Sequence, residues 1–155
     1  MIGARMKLTT IAEQTENVQR MDQQTLFHID FEWWIRREDE YLTYLYSLLC
    51  DKHQKEFGYV GDREHKLVDW VDPQNGEVFS IDSIEYSVRS HCSIQKDYIT
   101  EGTPMVDSVF RVLLANGNQP LTIKELASCI GRVGQESTIL RMLGGRKVYK
   151  GLRPL

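Results

Sequence analysis

Cysteine is scarce in this chain. Only Cys50, Cys92 and Cys129 occur in 155 residues, an odd number, widely spaced and without a Cys-x-x-Cys pair. That usage argues against a disulfide scaffold and fits a reducing compartment, so a cytoplasmic location is expected. Long apolar runs are missing as well. No stretch approaches the roughly 18 residues of a membrane-crossing helix, and no charged start with an apolar block and small-residue cleavage site marks a secretory leader. The short signatures of common catalysis are absent too: no phosphate-cradling glycine loop, no nucleophile elbow and no His-Glu-x-x-His helix. Glu38-Asp39-Glu40 and Asp62, Glu64 and His65 supply the residue types of acid–base chemistry. Helix surfaces and loops carry such groups routinely, so neither catalytic residues nor an enzyme activity is expected. What is present, 41% hydrophobic and 26% charged residues, is an ordinary globular composition sufficient for one medium domain or two small ones.

The net charge of −3 averages two unlike parts. Residues 1–103 hold 11 Lys and Arg against 19 Asp and Glu, whereas residues 104–155 hold 8 against 3, giving −8 and +5. Such asymmetry points to a surface for nucleic acid or an acidic partner on the C-terminal part.

Residues 1–27 are polar and without a sustained apolar period, and read as a flexible tail or a short docking arm that cannot order by itself. Residues 28–102 form an acidic α+β region. Within it Phe31, Trp34, Ile35, Tyr41, Leu42, Leu45, Leu48 and Leu49 recur at spacings of three and four, which predicts one long helix over 30–57, N-capped by Asp30 and ended by Gly58. Glu38 lies on that apolar stripe, where it either meets an arginine or marks the point at which the stripe turns outward. Trp33, Tyr44 and Tyr46 fall off the stripe, leaving an apolar surface that could meet the rest of the chain or a second copy of it as a homodimer. Lys66–Asp72 and Glu77–Ile81, separated by Pro73-Gln74-Asn75-Gly76, predict a β-hairpin. Asp82, with Glu85 at capping-box spacing, opens a second helix over about 83–93.

At Thr103-Pro104 an N-cap and a first-turn proline start a helix through Met105, Val109, Val112 and Leu113 that stops at Asn116-Gly117-Asn118. Gln119-Pro120-Leu121 is extended, Thr122 caps a helix over Ile123–Ile130, and a turn leads to a third helix of about Gln135–Leu143. Gly144-Gly145 ends it ahead of the basic segment Arg146–Leu155. This order resembles the winged helix-turn-helix superfamily. The stretch VLLANGNQPLTIKELASCIGR is similar to the helix-turn-helix modules of transcription regulators and of the RNA polymerase delta-subunit type. The resemblance implies a winged-helix-like domain at 103–155. The family usually follows its third helix with two strands and a loop; this sequence departs from that, and a short wing is expected, a single strand near Val148–Tyr149 pairing with Gln119–Thr122. It further implies a non-enzymatic, transcription-regulator-like protein that binds DNA through its third helix. Gln135, Ser137, Thr138 and Arg141 would then face base edges, and Arg146, Lys147, Lys150 and Arg153 the phosphates. A second reading makes the same domain a docking module for a protein partner.

Cys50 and His53 form a Cys-x-x-His step, and His91 adjoins Cys92. Four such groups could build a tetrahedral zinc site. Neighbours on a helix point about 100° apart, however, so His91 and Cys92 on one helix could hardly both ligate. Core packing of the two cysteines is therefore expected, with no metal and no cofactor.

Overall fold

A computed structural model describes residues 21–58 and 66–155. Most of the expected tail, and Asp62, Glu64 and His65, lie outside the described residues. The elements run β1 (Leu26–Ile29), α1 (Phe31–Ile35), α2 (Glu38–Leu48), α3 (Asp51–Phe57), β2 (Leu67–Val71), β3 (Val78–Asp82), α4 (Ser83–Ser90), a 3-10 turn (Cys92–Ile94), α5 (Met105–Ala115), β4 (Leu121–Thr122), α6 (Ile123–Cys129), α7 (Glu136–Leu143) and β5 (Leu152–Pro154). The class is α+β and mainly helical, as expected.

Leu26 and Phe27, expected in the tail, belong to a strand. Phe27 and Ile29 alternate inward with Leu26 and His28, the period-two pattern of a half-buried strand, and both are buried. β1 lies in the middle of an antiparallel sheet ordered β4-β1-β5. Leu26 pairs with Thr122, Phe27 with Leu121 and Pro154, and Ile29 with Leu152. Residues 148–149 therefore do not pair with 119–122 as expected. β1 takes that place, and Tyr149 instead forms an isolated bridge with Leu152 three residues on.

One hydrophobic core gathers side chains from both the acidic and the basic parts. Phe27, Ile29, Trp34, Leu45, Ile84 and Val88 join Val109, Phe110, Leu113, Ile123, Leu126, Ile139 and Leu152 in a single cluster. α5 runs through it, with Val109 and Leu113 of the expected apolar set fully buried together with Phe110 and Leu114, while Met105 and Val112 are half-buried at the edge of the core.

The long helix expected over 30–57 is three helices. Asp30 does cap its start, Oδ1 accepting the Glu32 N–H at 3.0 Å, and Gly58, at φ 66°, ends the last. Between them the backbone leaves helical geometry at Arg37 (φ −130°, ψ 38°) and again at Leu49 and Cys50 (ψ 143° and 162°). Ile35 is consequently 70% exposed, and the stripe does turn outward at this point. Glu38, with Asp39 and Glu40, opens α2, where acidic side chains suit the partial positive charge of a helix N-terminus. The bends also fold the leftover aromatics onto the chain's own core. Tyr44 stacks on Trp34 at 5.7 Å, meets Phe110 edge-on at 4.9 Å and donates to Asp107 Oδ1 at 2.6 Å. Trp33 packs edge-on against Trp34, and the Tyr46 hydroxyl donates to the Gln54 carbonyl at 3.0 Å. Of the two uses open to this aromatic surface, a homodimer or contact with the rest of the chain, these contacts are of the second kind.

The hairpin forms as expected, β2 pairing with β3 from Leu67–Asp82 to Val71–Val78. Asp72 and Asn75 close its turn by accepting the Gln74 and Glu77 N–H groups. Asp82 caps α4 through Ile84 N–H at 2.8 Å. Glu85 does not complete a capping box. It is buried, accepts from the Tyr41 hydroxyl and pairs with Arg89 at 3.7 Å. Thr103 likewise serves the preceding turn, accepting the Thr100 N–H at 3.0 Å, while Pro104 takes the cap position of α5.

Candidate functional site

Thr122 and Glu125 form the reciprocal capping box that starts α6, Thr122 Oγ1 accepting the Glu125 N–H and the Glu125 carboxylate accepting the Thr122 N–H. Arg132, in the turn that follows, donates from Nη2 to the carbonyls of Glu101 and Thr103, both at 3.2 Å, and so ties the α6–α7 turn to the approach to α5. α7 then buries Ile139 and Leu143. Its opposite side leaves Ser137, Thr138 and Arg141 exposed, with Gln135 exposed just ahead of it. Arg146 and Lys147 follow the Gly144-Gly145 stop and are exposed too, Lys147 Nζ lying 5.1 Å from the Tyr149 ring centre. Among the described residues Arg141, Arg146 and Lys147 form no ion pair. Glu136, in the first turn of α7, is the local acid. Its carboxyl is held below the usual range by backbone N–H groups and by nearby Lys124.

Lys150 and Arg153 point elsewhere. Lys150 Nζ sits 4.4 Å over the Tyr44 ring, in a groove beside Asp39, Glu40 and Ser47. Arg153 Nη1 pairs with Asp30 Oδ2 at 3.2 Å. Six of the eight residues expected to contact nucleic acid therefore lie on or just beside α7, and two face the α1–α2 side of the protein.

A second constellation gathers Cys50, His53, His91 and Cys92, whose donor atoms all lie within 4.8 Å of one another. Cys50, at the start of α3, and His53, one turn later, bring Sγ and Nδ1 to 3.2 Å. His53 Nδ1 is 3.4 Å from Cys92 Sγ, and His91 Nδ1 is 3.6 Å from Cys50 Sγ. The geometric objection to pairing His91 with Cys92 fails because α4 ends at Ser90. His91 departs from helical geometry (φ −130°, ψ −56°), and that freedom turns both side chains to one point. Burial pushes the Cys92 thiol up to about 11. The His53 imidazole is held below its ordinary value by desolvation and by His91.

Sequence reasoning missed a third feature. A groove between α1–α2 and the hairpin is lined by Phe31, Ile35, Leu42, Leu67 and Ile81. The hairpin side leaves Leu67, Val71 and Val78 more than half exposed. The signal lay in Leu67-Val68 and Val78-Phe79: apolar neighbours in a strand point to opposite faces, so one face stays outside.

Comparison of the chain with protein-family models, with curated proteins and with solved structures finds no match. No helix among the described residues is long and apolar enough to cross a membrane.

Proposed function

We propose that this chain is a non-enzymatic, transcription-regulator-like DNA-binding protein of winged helix-turn-helix type. In this reading α5, α6 and α7 are the three helices, α7 enters the major groove, and β4-β1-β5 is the sheet that backs them. The observation that carries it is the two-sidedness of α7. Ile139 and Leu143 are buried on one side, while Ser137, Thr138 and Arg141 stand exposed on the other, with Gln135 exposed at the N-cap and Arg146 and Lys147 exposed beyond the helix. Glutamine and arginine side chains match the base edges of adenine and guanine through paired hydrogen bonds, and serine and threonine are permissive partners. Arg146 and Lys147 supply phosphate contacts, which set position and affinity. Lys150 and Arg153 take no part. Their pairing with Tyr44 and Asp30 holds the acidic α1–α2 region and offsets one carboxylate that would otherwise repel a phosphate backbone.

The test is binding of the full chain to a random-sequence duplex at low and moderate salt, where a counterion-release slope is expected. A second reading, a protein-docking adaptor, draws on the exposed apolar hairpin face. A stoichiometric protein partner that co-purifies irrespective of nuclease treatment, lost on Leu67→Asp, would favour it.

A further inference from the structure

We propose that Cys50, His53, His91 and Cys92 hold one zinc ion in a closed tetrahedral site that staples the start of α3 to the end of α4. The sulfur-to-nitrogen separations of 3.2, 3.4 and 3.6 Å are those of neighbouring corners of a tetrahedron around a zinc ion. Bond lengths of about 2.3 Å to sulfur and about 2.0–2.1 Å to nitrogen set edges of this size. Two thiolates and two imidazoles are the donor set that selects zinc over magnesium, calcium or manganese, whose ligands are oxygens. Four protein ligands leave no open position for water or substrate, so the site is structural rather than catalytic.

Placement supports the assignment. The four ligands come in two pairs about 40 residues apart: Cys50 and His91 are separated by 41 positions, His53 and Cys92 by 39. Cys50 is the N-cap of α3 with His53 in its first turn, and His91 is the residue that ends α4 with Cys92 starting the 3-10 turn, so each pair flanks a change of backbone geometry. Cys92 is buried in the main core, and Cys50 packs against it. A metal here would fix the two junctions to each other and to the core. Two thiolates match the charge of the divalent ion, so binding leaves no net buried charge at the site. Cys129 is exposed and stands outside the cluster, which makes it an internal control. The site shares no residue with the α7 face, so its failure and that of the nucleic-acid reading are independent.

The experiment uses the full chain purified under reducing conditions without chelator, followed by metal analysis and by cobalt(II) titration of chelator-stripped protein. One zinc ion per chain is expected. Cobalt should bind one ion per chain with the intense visible bands of tetrahedral coordination and a thiolate-to-cobalt charge-transfer band, and zinc should displace it. Cys50→Ser and Cys92→Ser should each lose the stoichiometric metal and the charge-transfer band, while Cys129→Ser keeps both. Should the serine variants fail to fold, the spectrum of the unsubstituted chain decides the matter independently. A chain that takes up no cobalt, or only weakly coloured six-coordinate cobalt, overturns the proposal. So does a Cys50–Cys92 disulfide persisting in reducing buffer, or metal uptake that depends on Cys129.

Discussion

Asn118 holds the backbone of Ile29 with both ends of its side-chain amide. Oδ1 accepts the Ile29 N–H at 2.8 Å and Nδ2 donates to the Ile29 carbonyl at 2.9 Å, across 89 positions of sequence. The turn after α5 is thereby locked to β1, the strand that completes the sheet of the basic part. Asn118 has a left-handed backbone (φ 60°), a conformation that asparagine tolerates better than other residues with a side chain. Asn118→Ala removes both bonds and keeps the backbone penalty, and should cost about 2–4 kcal/mol in urea unfolding. Asn118→Asp keeps the acceptor alone and should fall between. An alanine variant as stable as the parent would show that β1 is held by other contacts.

Gly151 lies where β5 crosses the start of α1. Its φ is +74°, and an added Cβ would stand 2.9 Å from the Asp30 carbonyl oxygen and 3.0 Å from Trp34 Nε1. The Trp34 indole N–H also donates to the neighbouring Lys150 carbonyl at 3.0 Å, so Trp34 cannot withdraw without losing that bond. Gly151→Ala should therefore destabilise the fold by about 2–4 kcal/mol, more than the roughly 1–2 kcal/mol of the left-handed backbone alone. Thermal unfolding measures it, and a loss of under about 1 kcal/mol would contradict the close approach.

These two contacts explain which parts of the fold were legible in the sequence. Local devices were: the Asp30 and Thr122 caps, the Pro-Gln-Asn-Gly turn and the apolar face of α5 each depend on residues within a few positions. β1 was not, because a four-residue strand gives too short an alternation to register, and its partners lie more than 90 positions away. The breaks at Arg37 and Leu49 carry no glycine or proline. They follow from tertiary packing, which turns Trp34 toward Lys150 and Leu42, Leu45 and Leu48 toward the core. The α7 face was readable from helical spacing. The Cys/His cluster was half readable: the residues were visible, but the helix end at Ser90 that lets His91 and Cys92 converge has no proline or glycine to announce it.

Tyr41, Tyr44 and Tyr98 all have phenol pKa values raised above the usual 10, burial being the largest cause in each. Glu85 adds to the effect at Tyr41 and Asp107 at Tyr44. A folded-state value above the unfolded one means that the neutral phenol's contribution is fully present below about pH 10 and is lost as pH rises beyond it. Stability should therefore fall above about pH 10, each of these tyrosines contributing up to roughly 1.4 kcal/mol per pH unit. Tyr98→Phe loses a 2.8 Å bond to the Arg111 carbonyl, a constant offset of about 1 kcal/mol. It should also reduce the alkaline slope by about one proton. An unchanged slope in urea unfolding between pH 9 and pH 11, both approximate bounds around the tyrosine range, would show that Tyr98 ionises freely in the folded state.

The most direct test of the proposed function is the salt dependence of duplex binding by the parent chain, by an Arg141→Ala, Arg146→Ala, Lys147→Ala triple variant, and by Arg153→Ala. The parent should bind random-sequence duplex at low salt, with a negative slope of log affinity against log salt. The triple variant should lose about 0.9 of that slope for each phosphate contact removed. Arg153→Ala, whose guanidinium is committed to Asp30, should keep the parent slope. Absence of binding at low salt, or a slope untouched by the triple variant, would contradict the account.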